Sequence, residues 1–165
     1  MADDAAGHPD TDHPATSAEE LLFRGYLLQA LGLRTRRTWL LVGISALVFG
    51  AMHMANTEVG AGPALIFTYY VGFGAFLALI TLRDNRLELA IGAHAANNLF
   101  VALVVNRNHS SLPTRAIWQT ADIHPLFGIV SFLVAAAVFY WLLVRHQARS
   151  TPKTGGRHRE PRSYS

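Results

Sequence analysis

Glu19, Glu20 and Arg24 place two adjacent carboxylates and a guanidinium at the head of an apolar run that continues to Leu31. On a helix Glu20 and Arg24 lie four apart on one face, with the acid on the N-terminal side, the favourable order for an ion pair. Glu19 points about 100° away and has no local partner. Farther along, His53 follows Phe49 by four, so its ring can pack on the phenyl group, and Asn98 follows His94 by four on one helix face. A carboxylate with a neutral histidine can position and deprotonate water, and a second histidine with a carboxamide can donate to a developing oxyanion. Those are the parts needed to hydrolyse an amide. The same Glu19, His53 and His94 are also a donor set for zinc or another divalent metal, as two histidines and one glutamate are in soluble peptidases. Two histidines on separate helices can ligate haem iron axially, but an electron carrier gives no reason for the Glu-Glu-x-x-x-Arg pattern or for Asn98.

The elements that must position these groups are membrane helices. Of 165 residues about half (51%) are hydrophobic and 15% are charged, with a mean hydropathy of +0.23, against roughly a quarter charged in soluble domains. The apolar residues gather in blocks at 39–54, 64–82, 87–105 and 125–144, close to the roughly 20 residues that cross a bilayer. The chain has no cysteine, which excludes disulfides and thiolate metal sites. A pI of 9.7 does not point to nucleic acid, because the basic residues alternate between loops. Eleven lie at 34–37, at 83–86 and from Arg145 onward, and two, Arg107 and Arg115, lie in the intervening loops. This positive-inside pattern predicts a multi-pass plasma-membrane protein with a cytoplasmic C-terminus.

The expected fold is all-α, a multispanning bundle of about five helices: helix 1 at 17–33 and four spans. An acidic tail, 1–16, precedes the helical core at 17–144, and a basic tail, 145–165, follows it; both are expected to be disordered. Ser17 with Glu20 three residues on forms a capping box that starts helix 1 and gives Glu20 a structural role. Ala46 with Gly50, and Gly74 with Ala78, are small-residue pairs that let helices approach closely. Tyr69 and Tyr70 are expected at the membrane interface. His94, Asn97 and Asn98 are costly to expose to lipid, so they must face the bundle interior. The helix ends leave a mismatch in depth. At about 1.5 Å per residue, Glu19 and His53 lie roughly 21 Å from the basic ends of their helices and His94 only about 10 Å.

The three patterns, Glu-Glu-x-x-x-Arg at 19–24, Phe-x-x-x-His at 49–53 and His-x-x-x-Asn at 94–98, resemble in order and setting those of the CPBP intramembrane proteases. That family includes the type II CAAX prenyl endopeptidases and bacterial proteins linked to bacteriocin processing and immunity. The resemblance covers about residues 17 to 105. It implies that Glu19, with His53, activates water, that His94 and Asn98 stabilise the oxyanion, and that Glu20, Arg24 and Phe49 support the site. It further implies a membrane-associated protein or peptide substrate, prenylated or CAAX-like, with the lipid bilayer as surroundings and no nucleic-acid partner. Family members typically carry further spanning helices before the first motif, so the sequence resembles an N-terminally truncated member, and an inactive membrane module of the same family is the alternative expectation.

Overall fold

The computed structural model describes residues 12–56, 59–60, 62–107, 116–120 and 124–150. Five helices account for nearly all of them. α1 comprises three continuous stretches, an α-helical Asp12–Glu20, a π-helical Leu21–Leu27 and an α-helical Leu28–Gly32. α2 is Thr38–Met52, closed by a 3-10 turn at His53–Ala55. α3 is Pro63–Asp84, α4 is Glu88–Leu103 and α5 is Pro125–Ser150.

The local signals explain most of these limits. Pro63 opens α3 at a position where its missing N–H is not needed. Asn85 ends that helix in the left-handed region (φ 55°, ψ 33°), returning its N–H to the carbonyl of Thr81. Two expectations at the chain ends are corrected. α1 begins at Asp12, five residues before Ser17, so Ser17 lies inside a helix and caps nothing. α5 runs on through Arg145 to Ser150. Residues 1–11 and 151–165, the remainder of the expected tails, lie outside the described residues.

Among the described residues three helices, at Thr38–Ala55, Pro63–Asp84 and Pro125–Arg149, are long and apolar enough to cross a membrane. The block at 87–105 forms the 16-residue α4, about 24 Å long against a hydrocarbon core of about 30 Å. The polar stretch after it is not wholly irregular. Val105–Arg107 (β1) and Trp118–Thr120 (β2) pair as a short parallel ribbon.

α2 and α3 form the most extensive helix pair, and their small residues are the reason. A Cβ at Gly50 would stand 2.6 Å from Val71 Cγ2, and one at Gly74 would stand 3.2 Å from both Ala46 Cα and Phe49 Cβ. Ala46 and Ala78 are themselves buried. The core beside this seam gathers Phe23 of α1, Phe49 of α2, Phe73, Leu77 and Ile80 of α3 and Ala90 of α4. α5 joins through Phe132 and Phe139, which pack edge-on against Phe76, and leaves Phe127, Val130 and Leu133 exposed.

Candidate active site

α1 brings its charged residues into this core at the junction between α-helix and π-helix. The wider turn is evident where the Leu28 N–H reaches back five residues to the Phe23 carbonyl, and such turns are frequent at functional sites. Glu20 and Arg24 are both fully buried. Arg24 Nη1 donates to Glu20 Oε1 at 3.0 Å, and Nη2 donates to the carbonyl of Gly74 at 3.0 Å. Its guanidinium carbon also lies 4.7 Å from the centroid of the Phe49 ring. The missing side chain at Gly74 thus serves twice, letting α2 approach and exposing a backbone acceptor to the arginine. Glu20 is correspondingly not a capping residue. A buried carboxylate gains more from a cation than from a helix terminus, and the pair is made across α1, α3 and α4 together.

From α4, His94 Nδ1 lies 2.7 Å from the same Glu20 Oε1. An oxygen already accepting from a guanidinium belongs to a carboxylate, so the ring donates from Nδ1 and turns Nε2 toward Glu19, 3.9 Å from its Oε2. From α2, His53 Nδ1 lies 2.8 Å from the carbonyl of Phe49. A carbonyl only accepts, so this ring too is protonated at Nδ1 and directs Nε2 at Glu19 Oε2, 3.7 Å away. The His53 ring stacks on Phe49 with centroids 4.1 Å apart, as their spacing requires. Glu19 Oε2 is buried and has no hydrogen-bond partner among the described residues, yet the Glu19 side chain as a whole is 38% exposed. The cluster is therefore shielded at Glu19 Oε2 and open on one side.

Asn98 faces α1 as His94 does, but its amide donates to Thr16 Oγ1 at 3.1 Å, one turn before Glu20. Asn97 is half-buried and accepts from the Tyr69 hydroxyl at 3.4 Å. The structure thus brings Glu19, Glu20, Arg24, Phe49, His53 and His94 into one cluster and ties Asn98 to its margin through Thr16. The expected mismatch in depth does not keep His94 away, so the helix ends are staggered or their axes inclined. Tyr69 and Tyr70, expected at the membrane interface, also pack inside the bundle. Tyr69 meets Phe132 edge-on, Tyr70 lies over His53 with centroids 4.6 Å apart, and both are half-buried. The sequence marks Tyr70 as an interface ring and Gly74 as a packing residue but gives neither a place beside His53 and Arg24, and it gives no sign of Thr16 or Phe73 at the site.

Residues 15–100 match the family described as Rce1-like, type II CAAX prenyl endopeptidase. This chain belongs to that family. The matched stretch holds every member of the cluster, from Thr16 through Asn98, and excludes α5. Among curated proteins the chain is similar to an uncharacterized protein, YyaK, of Bacillus subtilis (strain 168), 40% identical over 136 residues, which are 76% of this chain and 44% of that one. The chain thus spans less than half the length of this relative. No solved structure matches it. Membership in a CAAX endopeptidase family, with three helices able to cross a membrane, makes this Rce1-like chain a membrane protein.

Proposed function

We propose that this chain is an intramembrane endopeptidase that hydrolyses a peptide bond of a membrane-associated protein or peptide, prenylated or CAAX-like, using water activated by Glu19 and His53. The observation that supports this is the buried Oε2 of Glu19, which has no hydrogen-bond partner among the described residues and is faced at 3.7 Å and 3.9 Å by two imidazole nitrogens whose other nitrogens are already engaged. With both rings uncharged, the three facing atoms are all hydrogen-bond acceptors that a water molecule can donate to. For His94 to donate from Nε2 to an oxyanion while Nδ1 stays on Glu20, its ring must carry a second proton, beside the carboxylates of Glu20 at 2.7 Å and Glu19 at 3.9 Å.

With His94 protonated, a water held by Glu19 and His53 attacks the substrate carbonyl carbon, and its proton passes to Glu19. The carbonyl π pair moves onto oxygen, where His94 Nε2–H donates to it, with the second N–H of Asn98 as a further donor. As the tetrahedral species collapses the C–N bond breaks, and the proton on Glu19 goes to the leaving amine. Glu20 and Arg24 keep His94 in place and touch no reacting atom.

The donor set suits a divalent cation as well, since Glu19 Oε2 and the two Nε2 atoms are the ligands zinc takes and each histidine is fixed through its Nδ1 bond. Separations of 3.7 Å and 3.9 Å exceed the roughly 3.4 Å between ligands of a tetrahedral zinc. No three such side chains among the described residues already stand at ligating distances. A bound ion would supply Lewis acidity at the substrate carbonyl.

The basic loop pattern supports a cytoplasmic C-terminus, with the cluster nearer the opposite membrane surface. Cleavage of an internally quenched peptide ending in a farnesylated CAAX tetrapeptide, by the purified chain in lipid nanodiscs, tests the proposal. Glu19→Gln, which leaves the Glu20, Arg24 and His94 contacts in place, is expected to lower the rate at least 10³-fold, in line with loss of both water positioning and general-base catalysis. A folded Glu19→Gln protein that keeps wild-type turnover overturns the hydrolytic reading and favours a non-catalytic membrane module.

A further inference from the structure

His53 has an unusual place for a group that must aim one nitrogen. It follows the last residue of α2, at φ −83° and ψ −1°, in the tighter turn His53–Ala55, where a helix ordinarily frays. Three contacts hold its ring nonetheless. Nδ1 donates to the Phe49 carbonyl, Phe49 stacks on it with centroids 4.1 Å apart, and Tyr70 of α3 lies over it at 4.6 Å with an interplanar angle of 34°. Tyr70 is in turn fixed from the same turn that carries the histidine. The Asn56 amide donates to the Tyr70 hydroxyl at 2.9 Å, and the Asn56 backbone N–H donates to the His53 carbonyl at 3.1 Å.

We infer that Tyr70 and Asn56 form a latch that fixes the His53 ring in its Nδ1–H tautomer and aims Nε2 at Glu19, making Tyr70 a positioning residue for the reaction. The inference rests on the hydrolytic role given to Glu19 and His53 above. The physical case is that an imidazole at a helix end has two rotatable bonds and two tautomers. A single hydrogen bond to Phe49 leaves the ring plane free to swing about it. Aromatic surfaces at 4.1 Å and 4.6 Å remove that freedom. The Asn56 bond prevents Tyr70 from drifting along α3, and it closes a circuit in which the turn bearing His53 also holds the ring that covers it. Tyr70 and Asn56 contact His53 and each other, so their effect is on the geometry of that ring.

Two measurements on the full chain in nanodiscs test this. The first is ¹⁵N NMR of histidine-labelled protein, with the His53 signals identified by their loss in His53→Gln. Wild type and Tyr70→Phe, which retains the covering ring, are expected to keep Nδ1 protonated and Nε2 bare, whereas Tyr70→Leu releases the ring into a mixture of tautomers. The second is turnover of the farnesylated quenched peptide. Tyr70→Leu is expected to lower kcat by about 10²-fold with KM within about twofold of wild type, the scale of a misplacement near 1 Å. Tyr70→Phe and Asn56→Ala each lower kcat by roughly fivefold, the loss of one hydrogen bond. Their combination is expected to fall no further, because both remove the same bond. A Tyr70→Leu protein that keeps the wild-type tautomer and kcat overturns the latch, as does additivity of the two milder variants. If wild type cleaves nothing, the hydrolytic reading fails, and the tautomer measurement still decides whether the latch exists.

Discussion

His94 Nδ1 and Glu20 Oε1 stand 2.7 Å apart, and that same carboxylate oxygen takes the hydrogen bond of Arg24 Nη1 at 3.0 Å. One buried oxygen thus joins α1 to α4 while its cation reaches α3 through the Gly74 carbonyl. The pair is therefore a tie between three helices as well as a support for the imidazole.

Glu20→Gln follows directly from this arrangement. The amide keeps an acceptor for one partner but leaves the Arg24 charge uncompensated in the core. Breaking a buried pair on one side costs about 3–5 kcal/mol, which a thermal melt in detergent micelles would register. Replacing both partners, as Glu20→Leu with Arg24→Met, is expected to recover most of that stability and none of the activity, because His94 then lacks its Nδ1 acceptor. Full activity in the double variant would remove Glu20 from the orientation of His94.

The glycines of α3 and α4 are expected to respond in opposite directions. A methyl group at Gly74 meets Ala46 Cα, Phe49 Cβ and Phe49 Cδ1, each at 3.2 Å, and two of the three belong to the residue on which His53 stacks. Gly74→Ala should cost about 1–3 kcal/mol through overpacking and reduce turnover by shifting Phe49. At Gly92 a Cβ would meet nothing within 4 Å, so Gly92→Ala should raise stability by about 0.5–1 kcal/mol. Equal melting temperatures for the two variants would contradict the packing described for the α2–α3 seam.

Phe49 is the aromatic hub of the site. It is fully buried, stacks on His53, meets His94 edge-on with centroids 5.9 Å apart, and carries the Arg24 guanidinium 4.7 Å from its own centroid. Phe49→Leu preserves hydrophobicity but removes the π surface. A loss of about 2 kcal/mol is expected from the desolvated cation–π contact and the ring pairs. Chemical denaturation should detect it. A wild-type midpoint in that variant would mean that Phe49 acts by volume alone.

How much of this was legible in the sequence depends on where each partner lies. The Glu20–Arg24 pair and the Phe49–His53 stack are four-residue relationships, and local spacing is enough to read them. Glu19, His53 and His94 were legible as polar groups that an apolar helix has no other reason to carry. The partners of these groups were not. The Gly74 carbonyl is a backbone atom, which leaves no trace in residue type, and Thr16 and Asn98 are 82 positions apart. The Ser17–Glu20 capping pattern misled because a local motif competes with tertiary contacts, and a buried cation outweighs a helix cap. The packing partners of Tyr69 and Tyr70 were hidden for a related reason. An aromatic ring near a helix end suits the membrane interface and a packed site equally well, and its neighbours come from other helices.

Asn98 offers a case in which structure and chemistry can be separated. Its amide donates to Thr16 Oγ1 at 3.1 Å, which ties α4 to α1 one turn before the carboxylates, while the reaction proposed above uses its second N–H. Thr16→Val removes the acceptor with little change of shape and leaves a half-buried donor without that partner, at a cost of about 1 kcal/mol. That variant should melt earlier and, while folded, keep kcat, because the second N–H is untouched. Asn98→Ala loses both, so kcat should fall by about 10²–10³-fold, the usual effect of deleting one oxyanion donor. Parallel losses of kcat and stability in the two variants, in the same proportion, would make Asn98 a helix tie with no part in the chemistry.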